Sequence, residues 1–316
     1  MKTTISLLAA LLLCSVTACA QHTGGNHHTA PTPAAESIET QEWAKARLAK
    51  SPRHQEWVKV KNGTREVNSF VVYPEVKTKA TAVVVIHEIF GMSDWVQSLT
   101  DQLAEAGYIA IAPDLLSGMG PNGGGTSSLD RNGVGQAIRD LPPDQITADL
   151  NAVADYVSKL PASNGKVVVT GYCWGGSQSF RFATNRPSLK AAFVFYGSAP
   201  AAADGTPDKA ALAKINSPVY GFYAGNDERI NATLPKTSEA MTELKKTFEP
   251  VTYAGAGHGF MRAGDAPEPT APVAKGDKEA DDKATTEYQK AVTAYRANKK
   301  ARDEAWARWK KILAAI

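Results

Sequence analysis

Cysteine is scarce in this chain: three occur among 316 residues, Cys14, Cys19 and Cys173. No C-x-x-C pair exists and no resolving thiol accompanies Cys173, which argues against a dithiol redox protein. Charge of one sign is also lacking. Lys and Arg total 35 against 32 Asp and Glu, a formal net charge of +3, with no basic stripe interleaved with aromatics. A nucleic-acid partner is therefore not expected. Long apolar runs are missing except at the N-terminus, so nothing else in the chain reads as a membrane span. Internal repeats are absent.

The one apolar run at the start has the grammar of an export signal. Lys2 supplies the positive end, Ile5 to Leu13 a hydrophobic stretch too short to cross a bilayer, and Ala18, Cys19 and Ala20 the small residues of a cleavage site. Two cleavage routes compete within residues 1–20. Ala18-Cys19-Ala20 fits cleavage before Gln21, whereas Val16-Thr17-Ala18-Cys19 resembles a bacterial lipobox, with lipidation of Cys19. The second is preferred. It predicts a chain exported to the periplasm or lipid-anchored to the outer membrane, since Ala20 is not the aspartate linked to inner-membrane retention. Either route leaves Cys173 without a disulfide partner, and an unpaired thiol in an exported protein points to reactivity.

Residues 21–39, rich in Gly, Pro and Thr, read as a flexible tether, and His27-His28 within it as solvated rather than metal-binding. Residues 40–316 suit one α/β domain. Trp57 to Lys61 and Glu66 to Tyr73 flank Asn62-Gly63 and predict an antiparallel hairpin. Continuous apolar strands follow at 82–86, 108–112, 166–170, 191–196, 219–223 and 248–253, separated by helical patterns at 95–106, 146–160 and 233–246. That alternation predicts a mostly parallel sheet covered on both faces. The Gly118–Ser128 stretch reads as a mobile lid or surface loop; it lacks the Gly-Lys-Ser/Thr of a phosphate loop. Residues 263–300 read as an insert, irregular to about 283; helical spacing returns over 279–300 through Ala280, Ala284, Tyr288, Ala291 and Tyr295 and continues through Trp306, Trp309 and Leu313, with a C-terminal helical segment at 303–314.

The most informative six residues are Gly171-Tyr-Cys-Trp-Gly-Gly176, directly after the strand at 166–170. A strand running into G-x-nucleophile-x-G is the elbow of α/β-hydrolases, with Cys173 where serine is usual. The turn projects the side chain into open space, the N–H of Trp174 faces a developing oxyanion, and the following helix presents its positive end. A base and an acid should follow in the order nucleophile, acid, base. His258 is the only histidine after Cys173 and follows the last strand. The acid should follow the 219–223 strand, where Asp227 is first choice and Glu228 second. His87-Glu88 invites a zincin reading, but the second histidine required at position 91 is Gly91. No metal site and no cofactor site is read. Glu88 at a strand–loop junction beside a nucleophile is a carboxylate that needs a partner or a role.

Four ordered motifs, His87-Glu-Ile-Phe-Gly91, Gly171-Tyr-Cys-Trp-Gly-Gly176, Gly225-Asn-Asp227 and Gly257-His-Gly-Phe260, together resemble the dienelactone hydrolase family over residues 55–262 and the terminal helix. The resemblance implies an α/β-hydrolase fold and a Cys173, His258, Asp227 triad. It also implies that Glu88 contacts the resting thiol and takes its proton when substrate enters. The oxyanion hole would be the backbone N–H groups of Ile89 and Trp174. Arg262 matches the family arginine that clasps a substrate carboxylate, and Arg131 is the nearest candidate for a second. The implied activity is hydrolysis of a small carboxylate-bearing lactone or ester; separately, a monomer is expected. The rival from another class is a non-catalytic envelope protein that binds an anionic ligand on the same fold.

Overall fold

The computed structural model describes residues 41–264 and 266–316. The export signal, Cys19 and the tether lie outside the described residues. In chain order the helices are α1 Glu42–Ala49, α2 Asp94–Glu105, α3 Arg131–Asp140, α4 Pro143–Ser158, α5 Trp174–Asn185, α6 Lys209–Leu212, α7 Glu228–Asn231, α8 Leu234–Glu243 and α9 Lys278–Leu313. The strands are β1 Gln55–Asn62, β2 Arg65–Val72, β3 Ala80–Ile86, β4 Ile109–Pro113, β5 Ser163–Tyr172, β6 Ala192–Phe195, β7 Val219–Ala224 and β8 Phe248–Tyr253.

These strands form one sheet in the order β1-β2-β4-β3-β5-β6-β7-β8. The β1–β2 and β2–β4 pairs are antiparallel, and every later pair is parallel. The centre is buried on both faces, which is why β3 reads Ala-Thr-Ala-Val-Val-Val-Ile without polar alternation. One face packs against α3, α4, α5 and α8 through residues such as Ile138, Val153, Phe180 and Met241. The other packs against α2 and the end of α9 through Leu99, Trp309 and Leu313. This is the expected α/β-hydrolase architecture.

Local departures have identifiable causes. Asn62 pairs with Arg65 inside the hairpin, so the two-residue turn is Gly63-Thr64 rather than Asn62-Gly63. The Asn62 amide is held in the strand by donating to Asp149 Oδ1 at 2.7 Å. The 118–128 stretch is not a free loop. The buried Asp114 carboxylate accepts from the Thr126 N–H and from its hydroxyl, both at 2.8 Å, while Thr126 Oγ1 accepts from the Met92 N–H. The helical spacing at 279–300 and the terminal segment at 303–314 form one continuous 36-residue helix, α9, so 278–300 is part of that helix and not of an insert.

Candidate active site

The last residues of β5 carry the chain to Cys173, whose φ of 57° and ψ of −119° lie in a region that side chains other than glycine rarely adopt. The strain is of order 1–3 kcal/mol and is maintained by the packing around it. Cys173 N–H donates to the Phe195 carbonyl on neighbouring β6, and its own carbonyl accepts from Ser177 N–H in α5. The glycines explain themselves. A Cβ on Gly171 would run into the Gly175 carbonyl, and a Cβ on Gly175 into the Ile86 and His87 carbonyls of β3. The elbow sits against two strands with no room for a methyl group. The helix begins at Trp174, so Cys173 is its N-cap residue.

The other candidates converge at the same carboxyl edge of the sheet. Asp227 follows β7, is almost fully buried, and caps α7 through Ile230 N–H. His258 follows β8, and its Nδ1 lies 2.5 Å from Asp227 Oδ2. That identifies Asp227, and not Glu228, as the carboxylate on the imidazole. Burial lowers the His258 pKa, but the hydrogen bond to Asp227 and the neighbouring Cys173 overcome it and raise the value to about 9. Burial likewise pushes Asp227 up, and its bond to His258 brings it below the ordinary value. Asp227 and His258 are thus joined by a hydrogen bond, and His258 lies within the electrostatic influence of Cys173.

Glu88 is placed differently from expectation. Its Oε1 has no hydrogen-bond partner, and its Oε2 stands 3.7 Å from Arg262 Nε. No hydrogen bond joins Glu88 to Cys173 among the described residues. The cause is Coulombic: a carboxylate at full burial lies closest to the guanidinium. Burial raises the Glu88 pKa against the opposing pull of Arg262, His258 and Tyr196. Arg262 also stacks over Phe90, with Cζ 5.4 Å from the ring centroid.

The loop after β3 aims a backbone donor. His87 is fully buried, and burial lowers its pKa, so the ring is neutral. Its Nδ1–H donates to the Glu88 carbonyl at 2.8 Å, and Gly91 N–H donates to the same oxygen. A trans peptide directs C=O and N–H oppositely, so Ile89 N–H faces away from that anchor. Trp174 N–H, at the first position of α5, has no intrahelical acceptor. Both expected oxyanion donors are therefore unspent by the secondary structure around them.

Arg131 opens α3, is exposed, and lines a cleft with Ile89 and Phe90 rather than touching the thiol. Tyr196 carried no sequence signal beyond its position at the end of β6. It has a φ of 40°, is fully buried, and packs edge-on against His258 with centroids 4.9 Å apart. Its hydroxyl lies in the field of Glu88 without the geometry of a hydrogen bond.

The sequence pattern described as the dienelactone hydrolase family matches residues 67–316. A proposed carboxymethylenebutenolidase of Salmonella typhi is 32% identical over 183 residues, covering 56% of this chain and 67% of the relative. Another from Yersinia pestis is 30% identical over 207 residues, covering 62% of this chain and 74% of the relative. The crystal structure of a proposed dienelactone hydrolase from Klebsiella pneumoniae superposes with a TM-score of 0.59 at 24% identity, over 77% of this chain and 98% of that one. At that identity the structural match speaks for the fold alone.

Proposed function

The chain belongs to the dienelactone hydrolase family and is a hydrolase of the carboxylic ester and lactone class; on that premise we propose that Cys173, His258 and Asp227 are its catalytic triad, acting on a small substrate that carries a carboxylate. The observation that carries the reading is the Asp227–His258 hydrogen bond at the same sheet edge as the strained Cys173 elbow, with His258 in the field of the sulfur. A pKa of about 9 keeps His258 charged near neutrality, so it is the acid of the first step and not the base. The base is Glu88. When the substrate carboxylate draws Arg262 away, Glu88 loses its counter-ion, and a buried carboxylate with a raised pKa is a stronger base.

The thiol proton passes to Glu88 and the sulfur attacks the carbonyl carbon, forming a C–S bond. The oxyanion is met by the N–H groups of Ile89 and Trp174. The C–O bond breaks and the leaving oxygen takes its proton from His258. Neutral His258 then removes a proton from water, which attacks the thioester and expels the sulfur. Glu88 returns its proton to the thiolate, and the products are the acid and the hydroxyl compound. No step calls on a metal ion or cofactor.

The test is a panel of esters and lactones with and without a carboxylate near the scissile bond. The acidic members are expected to outperform their neutral isosteres. Arg262→Ala is expected to erase that preference and to raise KM more than it lowers kcat, by an amount equivalent to roughly 2–5 kcal/mol if the pair is buried in the complex. A variant with the parent's preference would refute the role of Arg262. Export and lipidation at Cys19 rest on residues 1–20 alone. Mass spectrometry of the mature N-terminal peptide checks them: a lipid-bearing Cys19 is expected, and an unmodified peptide beginning at Gln21 contradicts it.

A further inference from the structure

A cleft of about 600 Å³ lies beside the site, lined by Ile89 and Phe90 on one side and by Arg131, Asn132, Gly133, Gly135, Gln136 and Arg139 of α3 on the other. It meets the proposed reaction centre through its own wall. Ile89 is the residue whose N–H faces the oxyanion, and Phe90 carries Arg262 stacked on its ring. Ile89 is 42% exposed, a large apolar side chain left open to solvent beside the site.

The opposite wall is unusual in two ways. Arg131, Gly135 and Arg139 fall at i, i+4 and i+8, so they share one face of α3 over about 12 Å. Neither arginine has a carboxylate within ion-pair distance among the described residues; Arg139 donates only to the neutral Gln136 amide, at 2.7 Å. Between them stands glycine, which costs about 1 kcal/mol relative to alanine inside a helix. Packing does not require it. A Cβ at Gly135 would meet nothing nearer than Arg139 Nη1 at 3.5 Å, an ordinary contact. The missing side chain leaves the space between two cations open.

We propose that this cleft is a second anion subsite, which receives the far acidic group of an elongated ester or lactone bearing two acids, its apolar middle lying over Ile89 and Phe90. The proposal rests on the reading of Cys173 as the reacting centre. Arg262 takes the acid near the scissile bond, and Arg131 with Arg139 takes the distant one. The volume suits a substrate of that size.

The experiment has two arms. In the first, kcat/KM is measured for the mono-p-nitrophenyl ester of octanedioic acid and for p-nitrophenyl octanoate, with the parent enzyme and with Arg131→Ala, Arg139→Ala and Gly135→Leu. The ratio of acidic to neutral ester is expected to drop about tenfold in each variant. Leucine is a better helix former than glycine, so Gly135→Leu blocks the cleft without weakening α3; its melting temperature verifies this. In the second arm, octanedioate is titrated calorimetrically into Cys173→Ala with and without the same substitutions, and binding is expected to weaken by a similar factor. Unchanged ratios and unchanged binding overturn the subsite while leaving the triad intact. If Cys173→Ala hydrolyses the esters as the parent does, the triad reading is lost, and the calorimetric arm still decides the cleft by itself.

Discussion

Of the four non-glycine residues at positive φ among the described residues, two, Cys173 at 57° and Tyr196 at 40°, act on His258: the ring of Tyr196 packs edge-on against it and Cys173 helps raise its pKa. Strain of this kind persists only where the surroundings over-determine it, and here His258 is the residue they share. Its pKa of about 9 lies above the ordinary 6.5. A raised value means that the imidazolium stabilises the folded chain fully below about pH 6.5, and that this contribution is lost as the pH rises through about 9. The melting temperature and kcat/KM are therefore expected to fall together between pH 7 and 10. Asp227→Asn removes the hydrogen bond that raises the value, and is expected to move the basic limb down by roughly one pH unit or more. A limb that stays in place in that variant would show that His258 does not set it.

At the scale of elements, α9 is two helices in function. Ala301, Ala305, Trp309 and Leu313 recur every four residues and are its buried positions; Trp309 lies edge-on to Phe193 and Phe195 at 5.7 Å. Trp309→Ala is expected to cost about 3–5 kcal/mol in urea denaturation. Glu287→Ala, on the exposed first half, is expected to stay within about 0.5 kcal/mol. Equal effects would contradict the division. Helical spacing was legible over 279–300 as well as 303–314, but only the last third of α9 has a core to face. Gly133 and Gly135 hid α3 altogether, since glycine weakens any helical pattern. The glycine run at 118–128 suggested a loose loop because its anchor, Asp114, is visible only once the chain is folded. By contrast the strands were plain, because a sheet covered on both faces demands unbroken apolar runs.

Across the whole molecule, the parallel strands β5, β7 and β8 deliver Cys173, Asp227 and His258, the proposed nucleophile and its partners, to one edge of the sheet. Each lies just past the end of its own apolar run, which is why Cys173, Asp227 and His258 could be named from the sequence. The partner of Glu88 could not, because choosing between Arg262 and the thiol takes coordinates. The cleft beside Ile89 could not either, being formed by a helix the glycines concealed. The central claim is that all turnover passes through one sulfur. It is tested most directly by kcat of Cys173→Ala on the best substrate of the ester and lactone panel, with a melting curve to establish that the variant is folded. Loss of a triad member lowers turnover by several orders of magnitude in enzymes of this kind, and a drop of about a thousandfold or more is the expected result. Retention of more than about a tenth of the parent's kcat by the folded variant would contradict the account.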